Sequence, residues 1–274
     1  MSKGFLFFAQ NSEYNYVNQA CLLAMSIHSS TPGSLVSIVT NDKVPKKYQK
    51  FFDKIIPIEN DLAINSNWKI ENRVTAYDLT PYDETVVFDT DMLILDNFDI
   101  KWNFLSNYEL YFCTNVKTFR NNNVTSRYYR ATFDANYLPD FYSAIYYFKK
   151  TELSKKFFDQ LKWVMTNWHD IKLWKKQPWA SIDVSTAIAS EMLGITEQIT
   201  SSHDLISFVH MKSKCQDWPN YNKPWTEIAT HYLTEDLDLY VGGYKQTGVF
   251  HYTEKHFCDE LKMEYYYGSL VHTL

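Results

Sequence analysis

Val86-Val87-Phe88-Asp89-Thr90-Asp91-Met92-Leu93-Ile94-Leu95 is the stretch on which the reading of this chain turns. Seven of its ten residues are apolar, as in a buried strand, yet two carboxylates stand one residue apart at its centre. Two acids so close repel unless a cation or a shared proton joins them. A hard divalent ion with oxygen ligands is the natural partner. In open α/β sheets ligands gather at the carboxyl ends of strands, which is where Asp89 falls after its apolar run. A bare Asp-x-Asp is weak evidence, and Asp236-Leu237-Asp238 repeats it where a solvated turn is expected. A turn or helix-cap pair at a strand end is the plain alternative for Asp89 and Asp91.

Working outward, the chain before the pair alternates. Residues 4–9 and 35–40 read as strands, and 15–29 as a helix with apolar residues at helical spacing. A short helix over 46–53, a short strand over 54–58, a helix over 67–78 and a strand over 84–88 follow. Such a β-α-β-α-β-α-β order predicts a mainly parallel sheet with helices on its faces. After Leu95 the rhythm loosens. Strands are expected over 110–115, 141–148, 205–210, 237–241 and 248–252, a polar loop over 117–139, and helices over 151–167 and 182–193. Ser181 is placed to cap the last of these. No repeat, low-complexity stretch or linker interrupts 1–274, so a single α/β domain is expected.

Composition narrows the function. The net charge of −5 disfavours a protein that holds duplex nucleic acid mainly through phosphate contacts. Rings make up 17% of residues, 21 of them tyrosine, a composition suited to sugar or base recognition and equally to filling a core. Four scattered cysteines, with no C-x-x-C, fit reduced thiols and a cytoplasmic setting rather than a disulfide framework. No signal peptide is expected at the start, and no apolar run reaches the length of a membrane span.

Two enzyme classes place Asp-x-Asp after a buried strand. In the haloacid-dehalogenase-like phosphatases a small pair follows the second acid; here Met92-Leu93 follows. In the GT-A glycosyltransferases the likeness runs further, and the chain resembles their family-8 group, the glycogenin-like and bacterial galactosyltransferase-like enzymes. It is carried by FLFFAQNSEYNYVNQACLLAMSI, WKIENRVTAYDLTPYDETVVFDTDMLIL, YSAIYYFKK, SIDVSTAI and HYTEK, spanning residues 4 to 256. Two departures stand out: Ser143-Ala144 replaces an Asn-Ala start, and His251-Tyr252-Thr253-Glu254-Lys255 is tighter than the family's closing motif and lacks its glycine.

The resemblance implies a GT-A, Rossmann-like fold with a nucleotide-binding half over about 1–100 and an acceptor-side half over about 101–274. It implies Mn²⁺ or Mg²⁺ held by Asp89, Asp91 and a histidine. His251 is the first choice, with His210 open because Lys223-Pro224-Trp225 lies downstream of it. A nucleotide-sugar donor, UDP-linked, would meet Ala9, Gln10, Asn11, Tyr16, Asn41, Asp42, Lys69, Asp89, Thr90, Asp91 and Lys255. Lys69 and Arg73, four residues apart and expected on one helix face, would join Asp183 in catalysis, with retention at the anomeric carbon. For Lys69 and Lys255 a solvated face, and for Asp183 a first-turn acid favoured by the helix dipole, are the plain alternatives. The chain is also similar to GT-A-like proteins encoded by large tailed phages, which would make the host cytoplasm its setting. The acceptor is then either a glycan or a modified base in phage DNA. The loop over 117–137, with Arg120, Arg127 and Arg130 among tyrosines, could grip a phosphate chain, line a glycan groove, or be surface only. A non-catalytic nucleotide-sugar binder with the same fold is the rival reading.

Overall fold

Strands form where apolar residues run unbroken. In the computed structural model, which describes residues 1–63, 69–201, 205–219, 222–263 and 267–268, β1 (Lys3–Phe8), β2 (Leu35–Val39), β3 (Lys54–Ile56) and β4 (Glu84–Phe88) lie parallel in the order β3-β2-β1-β4. β5 (Met92–Ile94) leaves this sheet. β6 (Leu110–Cys113), β7 (Val116–Lys117) and β8 (Tyr142–Lys149) follow, and β8 and β6 complete the six-stranded order β3-β2-β1-β4-β8-β6. β8 is antiparallel to both its neighbours.

Apart from the exposed edge strand β3, both faces of this sheet are buried, which is why its inner strands are mostly apolar rather than alternating. Phe5, Phe7, Val86 and Phe88 face one core with α1 (Tyr16–Ser30). Leu6, Phe8 and Val87 face the other, filled by Phe157 and Leu161 of a helix over Glu152–Thr166 and by Val184 and Ile188 of a helix over Ile182–Leu193. The first helix is capped by Asn15 and the Glu152–Thr166 helix by Thr151. Ser181 makes no side-chain cap; only its backbone carbonyl accepts, from the Ser185 N–H at 2.8 Å.

The rest of the chain builds a second layer. β9 (Phe208–His210), β10 (His231–Leu233), β11 (Leu239–Val241), β12 (Tyr244–Lys245) and β13 (Val249–His251) follow in order. β10-β11-β12 is a small antiparallel sheet, and β5-β13-β9-β7 a four-stranded one. In the latter, His251 is registered with Met92 on one side and His210 on the other. The second half of the chain is thereby brought against the Asp pair.

Besides the Ser181 cap, two expectations need correction. The helix over 67–78 is instead a 3-10 turn, Glu71–Thr75, running into a short helix, Ala76–Leu79; residues 67 and 68 lie outside the described residues. Val74 and Thr75 are poor helix formers, and the Thr75 hydroxyl bonds the Asn72 carbonyl at 2.6 Å, competing with the backbone ladder. Lys69 has φ +54, so Lys69 and Arg73 share no helix face. The polar stretch over 117–139 is not all loop, since it carries a 3-10 turn, Tyr128–Arg130, and a helix, Ala131–Asn136. Among the described residues no helix is long and apolar enough to cross a membrane.

Candidate active site

β4 ends at Phe88 and β5 begins at Met92, so Asp89, Thr90 and Asp91 form the crossing between two sheets. Their backbone is pinned on both sides. The Asp89 N–H donates to the Ala144 carbonyl of β8 at 2.8 Å, and the Tyr252 N–H donates to the Asp91 carbonyl at 3.1 Å. The acids therefore open on a pocket of about 360 Å³ at the carboxyl end of the parallel strands.

The two acids differ in their surroundings. Asp89 pairs with the Arg73 guanidinium at 2.5 Å, both side chains more than four-fifths buried. Burial, helped by the neighbouring Asp91 charge, outweighs Arg73 and raises the Asp89 pKa. Asp91 Oδ2 lies 2.9 Å from His251 Nε2 and 2.5 Å from Lys255 Nζ. Burial works against its ionisation too, but His251 and Lys255 outweigh it and hold the carboxyl well below the usual range. Ligand atoms of Asp89, Asp91 and His251 all lie within 4.8 Å of one another. Two carboxylates and an imidazole are a fitting donor set for a divalent ion such as Mn²⁺ or Mg²⁺.

His210, the other candidate ligand, stacks on His251 with centroids 4.8 Å apart and stands outside that three-residue group. Burial holds its pKa well below the usual value. Nδ1 of both histidines is buried without a hydrogen-bond partner among the described residues.

The pocket gathers most of the remaining candidates. Gln10, Tyr16, Lys69, Arg73, Thr90, Asp183 and Lys255 line it. Lys255 lies 5.4 Å from the Tyr16 ring. The Lys69 ammonium is drawn to the Ala63 carbonyl at 2.7 Å. Asp183 is held by the Ser143 N–H at 2.8 Å and by Arg130 at 3.4 Å. Ala9, Asn11, Asn41 and Asp42 are not brought to the pocket. The Asp42 carboxylate accepts from the Asn11 backbone N–H at 2.7 Å, the Asn11 amide oxygen accepts from the Val17 N–H at 3.0 Å, and Asn41 bonds both backbone groups of Ile58, so these polar side chains brace the local backbone. Trp179, 60% exposed at the pocket rim, was signalled only by its place four residues before Asp183. Asp61 and Asn72, which hold Gln10, carry no motif of their own.

The basic loop departs furthest from expectation. Arg127 is bound by Asp134 and Asp140. Arg130 is buried between the rings of Phe133 and Tyr142, and it reaches Asp140 at 3.2 Å, Asp183, and the Phe141 carbonyl at 2.6 Å. Arg120 lies over Phe119.

No protein-family description matches the sequence, and no curated protein is significantly similar to it. Solved structures do match. The galactosyltransferase LgtC, solved with donor and acceptor sugar analogues, aligns over 97% of this chain and 95% of its own, with 13% identity and a TM-score of 0.55. The bifunctional glycosyltransferase WbbM aligns over 92% of this chain with 14% identity and a TM-score of 0.53, and the chain spans 46% of its length. Mouse xyloside xylosyltransferase 1 aligns over 93% of this chain and 98% of its own, with 10% identity and a TM-score of 0.51. With its mainly parallel sheet, flanking helices and acids at the β4 end, the chain has the GT-A fold of these glycosyltransferases.

Proposed function

We propose that the protein is a divalent-metal-dependent glycosyltransferase. It moves a sugar from a nucleotide-sugar donor, UDP-linked, to a hydroxyl of a glycan acceptor, with retention at the anomeric carbon. The observation that carries this is the convergence of Asp89, Asp91 and His251 on one pocket in a glycosyltransferase fold. The donor nucleotide and the retention rest on the family-8 resemblance.

Asp89, Asp91 and His251 would hold Mn²⁺ or Mg²⁺. When bound, such an ion supplies positive charge that offsets the charge growing on the leaving diphosphate. Arg73 and Lys255 add two cations at the same place, already oriented by the acids. Lys69 borders the same wall. Asp183, its carboxylate aimed by the Ser143 N–H and Arg130, is left to accept hydrogen bonds from sugar hydroxyls. The exposed Trp179 ring offers a face on which a pyranose can stack. A glycan is favoured over a modified DNA base because Arg127 and Arg130 already serve three aspartates, leaving them unsuited to a phosphate chain.

The test is a set of thermal melts with Mn²⁺ and a panel of nucleotides and nucleotide sugars, on the wild type and on Asp91→Ala. A ligand that binds only the native state raises the melting temperature. We expect a UDP-sugar to stabilise the wild type only with Mn²⁺ present, and Asp91→Ala to lose the effect. A flat panel would remove the donor reading and leave a fold without this chemistry.

A further inference from the structure

A second cavity, of about 610 Å³, adjoins the pocket of the Asp pair. Arg127, Tyr128, Tyr129, Lys175, Lys176 and Pro178 are among its walls. The two hollows share partitions. Tyr142 lines the first and Tyr129 the second, and their hydroxyls meet at 2.5 Å. Trp179 lines the first and Pro178 the second, so a ligand that passes Trp179 leaves one hollow for the other.

The stretch over 171–181 forms neither helix nor strand, yet side chains tie it down. Asn136 accepts from the Trp174 N–H at 2.7 Å and donates to the Lys175 carbonyl at 2.8 Å. The Trp168 indole N–H donates to the Gln177 carbonyl at 3.1 Å. The Lys176 ammonium donates to the Ile171 carbonyl at 2.8 Å and the His169 carbonyl at 3.1 Å. Such bonds fix a segment that has no ladder of its own. What it presents is rings and cations. Trp174 is 92% exposed and Trp179 60%. Tyr137, next to Asn136, is 94% exposed at φ +54, a left-handed position that glycine or asparagine fills at lower cost. Rings held in place with so little to bury are platforms for a ligand rather than parts of a core.

Charge narrows the kind of ligand. No acid is among the residues lining the second cavity, although the chain carries a net charge of −5. Arg127 is taken up by Asp134 and Asp140, but Lys175 and Lys176 pair with no acid among the described residues. Lys212 and Lys214 add cations 5.4 Å from the Tyr129 ring and 4.5 Å from the Tyr128 ring. The geometry points to an extended acceptor site: the acceptor is an anionic oligosaccharide, its reacting unit beside Trp179 and Asp183, its next unit, bearing a carboxylate or a phosphate, against Tyr128 and Lys175. This rests on the glycosyltransferase reading of the first pocket. A lysine ammonium is a point charge, so it meets either anion without the bidentate fit of an arginine. Nucleic acid fits the cavity less well, because the net charge is negative and the arginines are engaged.

Calorimetric titration at low salt tests this with two matched pairs of probes. Hyaluronan tetrasaccharide against chitotetraose reads a carboxylate, and phosphorylated mannopentaose against mannopentaose reads a phosphate. Each is titrated with UDP and Mn²⁺ present, and again without them, on the wild type, Lys175→Glu and Tyr128→Ala. At least one acidic probe should bind the wild type about tenfold more tightly than its neutral partner, as two exposed cations allow. The pair that shows the difference tells carboxylate from phosphate. Lys175→Glu should cut the preference to about twofold or less. Tyr128→Ala should weaken acidic and neutral probes alike, by about fivefold, because a ring face does not read the charge. Both side chains are exposed, and thermal melts confirm folding. No acidic preference in either pair, or one that Lys175→Glu leaves unchanged, overturns the proposal. A single-stranded oligothymidylate that binds more tightly than both acidic probes overturns it in favour of nucleic acid. The donor reading is judged apart, by the melts with UDP-sugar and Mn²⁺. A donor shift without acidic preference removes only the extended acceptor site. An acidic preference with no donor shift overturns the acceptor role along with the transferase reading.

Discussion

Asp89 and Asp91 face Arg73, Lys255 and His251 at the end of β4, while Asp134, Asp140 and Asp183 face Arg127 and Arg130 on the neighbouring wall. Both groups mix acids with bases, and both contain a largely buried arginine, but they are built on opposite plans. The first joins residues from the end of β4, the 3-10 turn before it and the end of β13, and its charged atoms open on a pocket. The second draws mostly on one stretch of chain, over 127–140, and closes on itself. Arg130 spends its donors on Asp140, Asp183 and a carbonyl, with a ring on each face. Among the described charged residues only Asp183 belongs to both the closed cluster and the pocket, and the Tyr142 ring borders both. Converging charges that face a cavity have work left to do; charges that satisfy one another hold structure.

If the contrast is right, Asp91→Asn should have the largest effect of any single change. It removes the charge proposed to ligate the metal and leaves His251 and Lys255 facing a neutral amide in place of a carboxylate. We expect donor turnover to fall on the order of 10³-fold, about 4 kcal/mol of transition-state stabilisation. The same change at Asp236, in the second Asp-x-Asp, should leave turnover within about twofold. Steady-state release of the nucleotide product measures both. A loss of less than tenfold for Asp91→Asn would place the acid among the structural groups.

Arg130→Met probes the closed cluster and should cost stability before it costs chemistry. Truncating one partner of a buried ion pair leaves the other uncompensated, at about 3–5 kcal/mol. Asp140 and Asp183 would both lose their buried partner. Urea denaturation reads the loss, and Arg130→Met/Asp140→Asn should recover part of it. No recovery would mean that the stacking on Phe133 and Tyr142, rather than the charge, is what the cluster needs.

The difference between the clusters also explains what the sequence made legible. Acids inside VVFDTDMLIL stand out because an apolar strand has no local use for them, and the alternating elements before it announce a parallel sheet. His251 could be set against His210 because it sits in an apolar run, Val249 to His251, that becomes the strand beside β5. The roles of Arg127 and Arg130 were hidden because their neutralising acids lie 7, 10, 13 and 53 residues away, at no shared spacing. The helix expected over 67–78 misled because Lys69 and Arg73 have helical spacing, while Val74, Thr75 and a left-handed Lys69 break the helix. Asp61 and Asn72 left no trace, since a buried amide network depends on loops meeting in space.

The smallest expected effect belongs to Arg127, and its sign with pH makes it a sharp test of closure. Its side chain is 50% exposed, so solvent screens its pairs with Asp134 and Asp140, and Arg127→Ala should cost about 1 kcal/mol or less at neutral pH. Hydrogen bonding to Arg127 lowers the Asp134 pKa in the folded protein. A carboxyl whose folded value is depressed contributes stability above its unfolded value, about 3.9, and loses it as the pH falls through the folded value. The wild type should therefore exceed Arg127→Ala in stability at pH 7, and the gap should close below about pH 4. Paired urea denaturation curves at the two pH values measure it. A gap that persists or grows in acid would mean that Arg127 acts through packing, and that the loop cluster is not the self-neutralising group contrasted with the β4 site.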